Sequence, residues 1–501
     1  MTSSGSKTPG IDNITWTNPE QRMKAIELLG KFTKNPNTYK SSPLKRIMIH
    51  KTNSTEFRPL EIPTMFDRAV QAVYLLAVDP VVETNSDKNS FGLRKFRSQH
   101  DAIAYLRSIL DKKVSPNYIL EADLFKCLDK ISHKFLLQNT PICHKHVLNQ
   151  WLSSGYIFKN KLFSTTEGTR QGGILSPLLC NIVLNGMEGL IRKAFPAHKV
   201  VDGSRPKVNL FRFADDIIVT GTNEQTLIQI RQIIEEFLKI RGLELKDNKT
   251  RIVTISTGFN FLGFNISRKP FNPRLNKKTD QKTVLIIKPS DKAIESIKKN
   301  IRKIIFKNNE LTVIIKEINP LLREWGNYFS ISYHSQATFI SLGHFVWTLM
   351  FKWVIKKHSK LSSMKAVSKY IVKGKTVSNH KWVWGISNMN PKVMNRLTIF
   401  NISETVIKIH KLLKLDLNPY LIENKSYFQK RIIISNSAKF REAIFKKYNH
   451  LCPICDESLH NGEKVELHHI KPAKEGGVYS MSNIQPLHQI CHISITHNKA
   501  K

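Results

Sequence analysis

Two adjacent aspartates, Asp215 and Asp216, stand between a segment that alternates and a segment that runs apolar, and few folds accept that arrangement. Lys207, Val208, Asn209 and Leu210 alternate polar and apolar before them, and Ile217, Ile218 and Val219 follow. The pattern predicts two short strands joined by a turn at Phe213-Ala214-Asp215-Asp216. Asp is a turn former, so a solvated hairpin tip is one reading. The other is a divalent-cation site. Neighbouring carboxylates repel, and a hard cation with oxygen ligands, magnesium above all, removes the repulsion.

The surrounding chain favours the cation. Glu121-Ala122-Asp123-Leu124 follows the apolar Tyr118-Ile119-Leu120, which puts a third carboxylate, Asp123, at the end of a predicted strand. Between the two lies Arg170-Gln171-Gly172-Gly173-Ile174-Leu175-Ser176-Pro177-Leu178-Leu179. Its glycines allow a ligand to approach the backbone, and a helix is predicted onward through Asn181, Leu184 and Met187. Three carboxylates from two strands beside such a stretch suit two-metal phosphoryl transfer, in which ions clamp the attacking and leaving oxygens.

Charge narrows the partner. Lys and Arg number 78 against 39 Asp and Glu in 501 residues, a net +39, which points to a polyanion. No uninterrupted apolar run of 18 residues and no lipidation signal are legible, so nucleic acid is expected and a membrane is not. Six cysteines in a chain this long do not make a disulfide scaffold; Cys127, Cys143 and Cys180 read as small buried hydrophobes. The N-terminus has neither a secretory h-region nor an Arg-rich presequence. With heavy use of Lys, Asn and Ile, the expected setting is an organelle, plastid ahead of mitochondrion, or a bacterial cytoplasm.

In their order, these blocks resemble the reverse transcriptase palm, and specifically the reverse transcriptase–maturases encoded by group II introns. Arg58-Pro59-Leu60-Glu61-Ile62-Pro63 with Asp67, Arg68 and Gln71 is similar to the fingers motif, and Ser90-Phe91-Gly92-Leu93-Arg94 with Ser98-Gln99-His100-Asp101-Ala102 to the next block. Phe261-Leu262-Gly263-Phe264 resembles the strand that closes the palm, and Leu322-Arg323-Glu324-Trp325-Gly326-Asn327-Tyr328-Phe329 the thumb signature. The resemblance spans about residues 8–385. It implies an α+β multidomain chain with right-hand polymerase fingers and palm and a helical thumb (the maturase X domain). Expected boundaries are 1–110 for the N-terminal segment and fingers, 111–275 for the palm, 276–386 for the thumb, 387–440 for a linker and DNA-binding region, and 441–501 for a separate C-terminal domain.

The same resemblance assigns roles. Asp123, Asp215 and Asp216 would hold two Mg²⁺. Arg58 and Arg68 would meet the incoming triphosphate, Gln171 would bind substrate, and Lys249 in Asn248-Lys249-Thr250 would protonate the leaving pyrophosphate. Relatives usually carry Glu-Lys-Thr at that last position. Leu128, in Leu124-Phe125-Lys126-Cys127-Leu128-Asp129, stands where relatives carry an aromatic that excludes a 2′-hydroxyl.

Two helices are predicted from periodicity. Leu227, Ile230, Ile234 and Phe237 give Glu224 to Ile240 one apolar face, with Asn223 as cap and Gly242 past the end. Ile294, Ile297, Ile301 and Ile304, with Lys298, Lys299, Arg302 and Lys303 between them, make an amphipathic helix with a basic, RNA-facing side. Basic residues recur at Lys352, Lys356, Lys357, Lys360 and Lys365, and at Lys408, Lys411, Lys414 and Lys425.

The last sixty residues carry a second chemistry. Cys452-Pro453-Ile454-Cys455 and His488-Gln489-Ile490-Cys491 are two pairs of soft or borderline ligands, the spacing of a closed structural Zn²⁺ site. Between and after them stand His468-His469, Gly476-Gly477, Asn483 and His492, a pattern similar to HNH endonucleases, which implies a zinc-containing ββα-metal HNH domain over 441–501. That resemblance makes His469 the general base, His468 and His492 the ligands of a catalytic Mg²⁺ or Mn²⁺, and Asn483 the residue that orders the loop. His497 is left outside the set. The alternative is a zinc-stabilised DNA-binding finger.

Taken together, the chain reads as an intron-encoded protein with RNA-directed DNA polymerase, maturase and HNH DNA endonuclease functions. Its expected partners are group II intron RNA, target double-stranded DNA, dNTPs and a second copy of itself as a homodimer. Leu128 and Asn248 favour one alternative, an RNA-binding splicing factor with a decayed polymerase; a homing nuclease with a vestigial palm is another.

Overall fold

The alternation around the aspartates becomes one antiparallel sheet, ordered Asn209–Phe213, Asp216–Gly221, Tyr118–Asp123, Arg251–Thr254. The computed structural model describes all residues except 1–6, 51–55, 113, 170, 199, 201–202, 204, 271–282, 373–381, 387–396, 437–438, 460–464, 473–474, 478–479 and 499–501. Register sets Asp123 directly opposite Asp216. Successive strand residues face opposite sides. Ile119, Phe211 and Ile218 pack with the Gln99–Leu110 helix on one side. Leu120, Leu210, Ile217 and Val219 pack with the Ser176–Leu184 and Glu224–Lys239 helices on the other. Glu224–Lys239 buries the four expected residues, takes its cap from Asn223, and ends before Gly242 at φ 75°.

The fingers sheet is ordered Phe57–Ile62, Leu44–His50, Tyr156–Phe158, Lys161–Phe163. Its last two strands come from between the Asp123 and Asp215 blocks, so chain segments interleave rather than follow one another. Two expectations are corrected. The helix predicted through Met187 stops at Leu184, because Gly186 at φ 90° turns the chain before a new helix, Met187–Ala194. Phe261-Leu262-Gly263-Phe264 is a tight turn, not a strand. Leu262 at φ 50° and Gly263 at φ 79° join Phe259–Phe261 to Phe264–Pro270, since a two-residue hairpin loop needs positive φ at both positions. With Thr283–Pro289 these strands form a separate sheet.

Three helices, Asp291–Lys307, Leu311–Phe329 and Ser335–Lys357, build the next layer. The first buries Ile297, Ile301 and Ile305 and exposes Lys299, Arg302 and Lys303. The third is long and apolar enough, by length and composition, to cross a membrane. It buries Phe339, Leu342, Val346, Leu349, Met350, Trp353 and Val354, and its exposed Lys352, Lys356 and Lys357 interrupt any apolar run, as in a core helix of a bundle.

The segment expected as a linker is docked. His410 Nε2 and an Arg431 amino group lie 2.9 and 2.6 Å from Asp101 Oδ1, which is buried, and Asn418 Nδ2 donates to Thr84 Oγ1 at 2.9 Å. Beyond it, Val465–His469 and Ile484–His488 pair antiparallel and lead into the helix Gln489–Asn498, a ββα unit.

Candidate catalytic and metal sites

Asp123 ends one strand, Asp216 begins its neighbour, and Asp215 occupies the turn. Both turn aspartates meet solvent, yet the protein around them partly desolvates their carboxyls. That desolvation, then the charges of Asp215 and Asp123, pushes Asp216 up to about 6; desolvation, with Asp123 adding to it, also raises Asp215. Lys249, in the turn Asp247–Lys249, gives its Nζ to Asp123 Oδ2 at 2.5 Å, and this bond raises the lysine. Three oxygen donors that repel one another at a solvent-facing strand end fit a divalent cation.

The other expected substrate contacts divide. Arg58 Nε donates to Gln171 Oε1 at 2.6 Å, and its charge reaches Asp215, where it offsets a small part of the rise that desolvation causes. Gln171 Nε2 in turn donates to Asp129 Oδ1 at 3.1 Å, so one amide ties fingers to palm. Leu128 is half-buried in the short helix Cys127–Lys130, and its carbonyl accepts from Thr169 N at 2.5 Å. Arg68 stands apart. Its guanidinium donates to the carbonyls of Pro63 and Thr8 at 3.0 and 2.5 Å. Arg170 lies outside the described residues. Asp129 was not singled out from sequence; its place one residue after Leu128 is the available signal.

In the C-terminal unit, ligand atoms of Cys452, Cys455, His488 and Cys491 all lie within 4.8 Å of one another. Tetrahedral Zn²⁺ with Zn–S near 2.3 Å needs sulfurs about 3.8 Å apart, so the set fits. His488 is buried; its Nε2 lies 3.1 Å from the Ser458 carbonyl, which leaves Nδ1 turned to Cys455 Sγ at 3.3 Å. Desolvation works against a Cys452 thiolate, but backbone N–H groups of His488, Ile454 and Cys455 outweigh it and hold that thiol at about 7.

The strand Val465–His469 puts Glu466 and His468 on one face and His469 on the other. The rings of His468 and His492 are 4.9 Å apart, and His492 Nδ1 lies 2.7 Å from Glu466 Oε2. Gln489 Nε2 donates to Glu466 Oε1 at 3.1 Å. Glu466 was missed from sequence, although its place two residues before His468 on a strand put it on the same face. Asn483 brackets Lys471: its Oδ1 accepts from Lys471 N at 2.8 Å and its Nδ2 donates to Lys471 O at 3.1 Å. The side chain of His497 lies outside the described residues.

Comparison with known proteins agrees with this layout. Residues 49–266 match the family model for reverse transcriptase (RNA-dependent DNA polymerase), 294–371 that for the group II intron maturase-specific domain, and 452–498 that for HNH endonuclease. The group II intron-encoded protein LtrA of Lactococcus lactis subsp. cremoris is 24% identical across 94% of this chain and 86% of its own length. Protein YkfC of Escherichia coli (strain K12) is 29% identical across 54% of this chain and 78% of its own. The putative COX1/OXI3 intron 1 protein of Saccharomyces cerevisiae is 27% identical across 56% and 39%.

Proposed function

The chain belongs to the group II intron-encoded reverse transcriptase–maturases that carry an HNH endonuclease domain, and on that premise we propose how its residues divide the work. The observation that carries the polymerase half is the convergence of Asp123, Asp215, Asp216 and Lys249 at one strand end. Bound there, magnesium would stabilise charge on the attacking and leaving oxygens. Asp123, Asp215 and Asp216 hold the ions, Arg58 steadied by Gln171 meets the triphosphate of a dNTP, and Lys249 gives its proton to the leaving pyrophosphate. Lys249 is charged and already within the carboxylate cluster, which favours this reading over a decayed polymerase.

At the other end, Cys452, Cys455, His488 and Cys491 hold a structural Zn²⁺. His468 and His492 would hold a Mg²⁺ or Mn²⁺ ion, which would supply charge stabilisation for phosphodiester cleavage in double-stranded DNA; His469 takes the proton of the attacking water, and Asn483 fixes the loop after the first strand. Glu466 orients His492 as a carboxylate behind a metal-bound histidine. Glu466→Gln is expected to lower DNA nicking by about 10- to 100-fold and leave cDNA synthesis unchanged; a nicking assay beside primer extension checks it. The exposed basic residues of the helical layer supply phosphate contacts to intron RNA. The compartment is the one in which the intron is transcribed, an organelle or a bacterial cytoplasm.

Leu128 is the gate residue of the palm. Leu128→Phe is expected to raise discrimination against ribonucleotides by about tenfold or more, read as the ratio of kcat/KM for dNTP and rNTP. The whole reading is tested by giving the purified chain its intron RNA and a DNA duplex carrying the insertion site. Asp215→Asn should stop extension and spare nicking, and His469→Ala should do the reverse. Loss of both activities in either variant contradicts the division.

A further inference from the structure

Behind the Asp215-Asp216 turn lies a fully buried arginine that no role above uses. Arg212 pairs across the hairpin with Ile217, so its side chain leaves the sheet on the face opposite the Asp216 carboxylate. One guanidinium nitrogen donates to Asn181 Oδ1 at 3.1 Å and to the Ala214 carbonyl at 3.4 Å. Asn181, on the Ser176–Leu184 helix, spends its own amide on the carbonyls of Gly92 and Leu93, both at 3.2 Å. The main chain closes the ring: Phe91 N donates to Arg212 O at 2.8 Å, and Arg212 N to Asn89 O at 3.0 Å. Gly92 lies so close under the turn that a Cβ there would overlap the Ala214 nitrogen.

Each part answers a physical need. Ala214 sits at φ 55°, a left-handed conformation that is strained for a residue with a Cβ, so the turn must be held by its surroundings. Burying a guanidinium is costly, and an apolar side chain would fill the same space more cheaply. What an apolar side chain cannot do is donate to Ala214 O and Asn181 Oδ1 together. Two distant sequence blocks, around Asn89–Leu93 and at Asn181, therefore meet on the strand residue that holds Ala214.

We propose that Arg212, Asn181 and Gly92 form a brace that fixes the Ala214-Asp215 turn from behind and keeps Asp215 and Asp216 at the separation a divalent cation requires. Arg212 is a positioning residue: it touches neither substrate nor ion. The inference rests on the reading that these carboxylates hold the palm ions.

The test compares Arg212→Met, Arg212→Lys and Asn181→Ala in the full chain. Primer extension gives kcat, KM for dNTP and the Mg²⁺ concentration for half-maximal rate. Fe²⁺-directed hydroxyl-radical cleavage of the backbone gives ion placement without turnover. Arg212→Met should lose about 10- to 100-fold in kcat and require several-fold more Mg²⁺, with KM for dNTP and affinity for intron RNA little changed. Cleavage near residues 214–216 should fade or move. Arg212→Lys should recover part of each, and Asn181→Ala, which keeps the cation but removes its acceptor together with the tie to the Gly92 and Leu93 carbonyls, should shift both in the same direction. If Arg212→Met fails to fold, Asn181→Ala and Arg212→Lys decide. Wild-type Mg²⁺ dependence and cleavage pattern in those two folded variants overturns the brace. Asp215→Asn is the control: if it extends primers normally, the assignment of the carboxylates fails, whereas a dead Asp215→Asn beside unaffected brace variants sinks this inference alone.

Discussion

Asp216→Asn is expected to lower RNA-templated DNA synthesis by at least about 10³-fold, the loss of several kcal/mol of transition-state charge stabilisation. The same change should stabilise the metal-free protein at pH 7. The sign follows from proton linkage. In the folded protein the Asp216 carboxyl titrates at about 6 instead of its ordinary 3.8, so the folded state binds more protons between those values. Stability from this group is therefore greatest at low pH and falls as pH rises through that window. Because the side chain meets solvent, the gain from removing the charge is on the order of 1 kcal/mol after screening. Thermal unfolding with and without a chelator reads it. Magnesium competes with the proton for the same carboxylates, so the acid limb of the activity profile should move to lower pH as Mg²⁺ is raised. An acid limb that ignores Mg²⁺ concentration would mean that some other group sets it.

Removing Zn²⁺, or replacing Cys455 with Ser, is expected to unfold the C-terminal unit and abolish DNA cleavage while leaving cDNA synthesis intact. Among the described residues its apolar core is small: Phe445, Cys452, Leu459, Val465 and Leu487, with Leu467, Cys491 and Ile495 against them. A core of that size supplies little stability alone, whereas a four-ligand zinc site contributes about 10 kcal/mol or more. Two of the ligands, Cys452 and Cys491, also sit in or against that core, so losing the ion breaks packing as well as coordination. Limited proteolysis should release residues beyond about 440 from the chelated protein, with the palm protected. DNA nicking that survives exhaustive chelation of zinc, with Mg²⁺ restored, would contradict a structural role for the cluster.

How much of this was legible depended on whether the signal was local. The Asp215-Asp216 turn, the strand ending at Asp123 and the Glu224–Lys239 helix announce themselves through period-2 and period-3.6 patterns, and the structure has each. The paired x-x spacings of Cys452, Cys455, His488 and Cys491 likewise carry their own geometry. The rest depends on partners distant in sequence. Tyr156–Phe158 and Lys161–Phe163 are too short to declare which sheet they join, and they complete the fingers. Glu466 becomes a partner of His492 only once the Gln489–Asn498 helix docks. Arg212 looks like any polar residue in an alternating strand; its burial is set by Asn181 and by the bare Gly92, some 30 and 120 residues away. Arg68, read from its motif as a triphosphate contact, donates to the carbonyls of Pro63 and Thr8, which the motif does not announce.

The most direct test of the polymerase assignment is primer extension on an RNA template with Mg²⁺, comparing wild type with the Asp215→Ala, Asp216→Ala double variant. The arrangement of Asp123, Asp215, Asp216 and Lys249 predicts cDNA from the wild type, with Leu128 tolerated at the gate, and none from a variant that still binds intron RNA. A folded, RNA-binding wild type that makes no cDNA, or a double variant that still does, would contradict it.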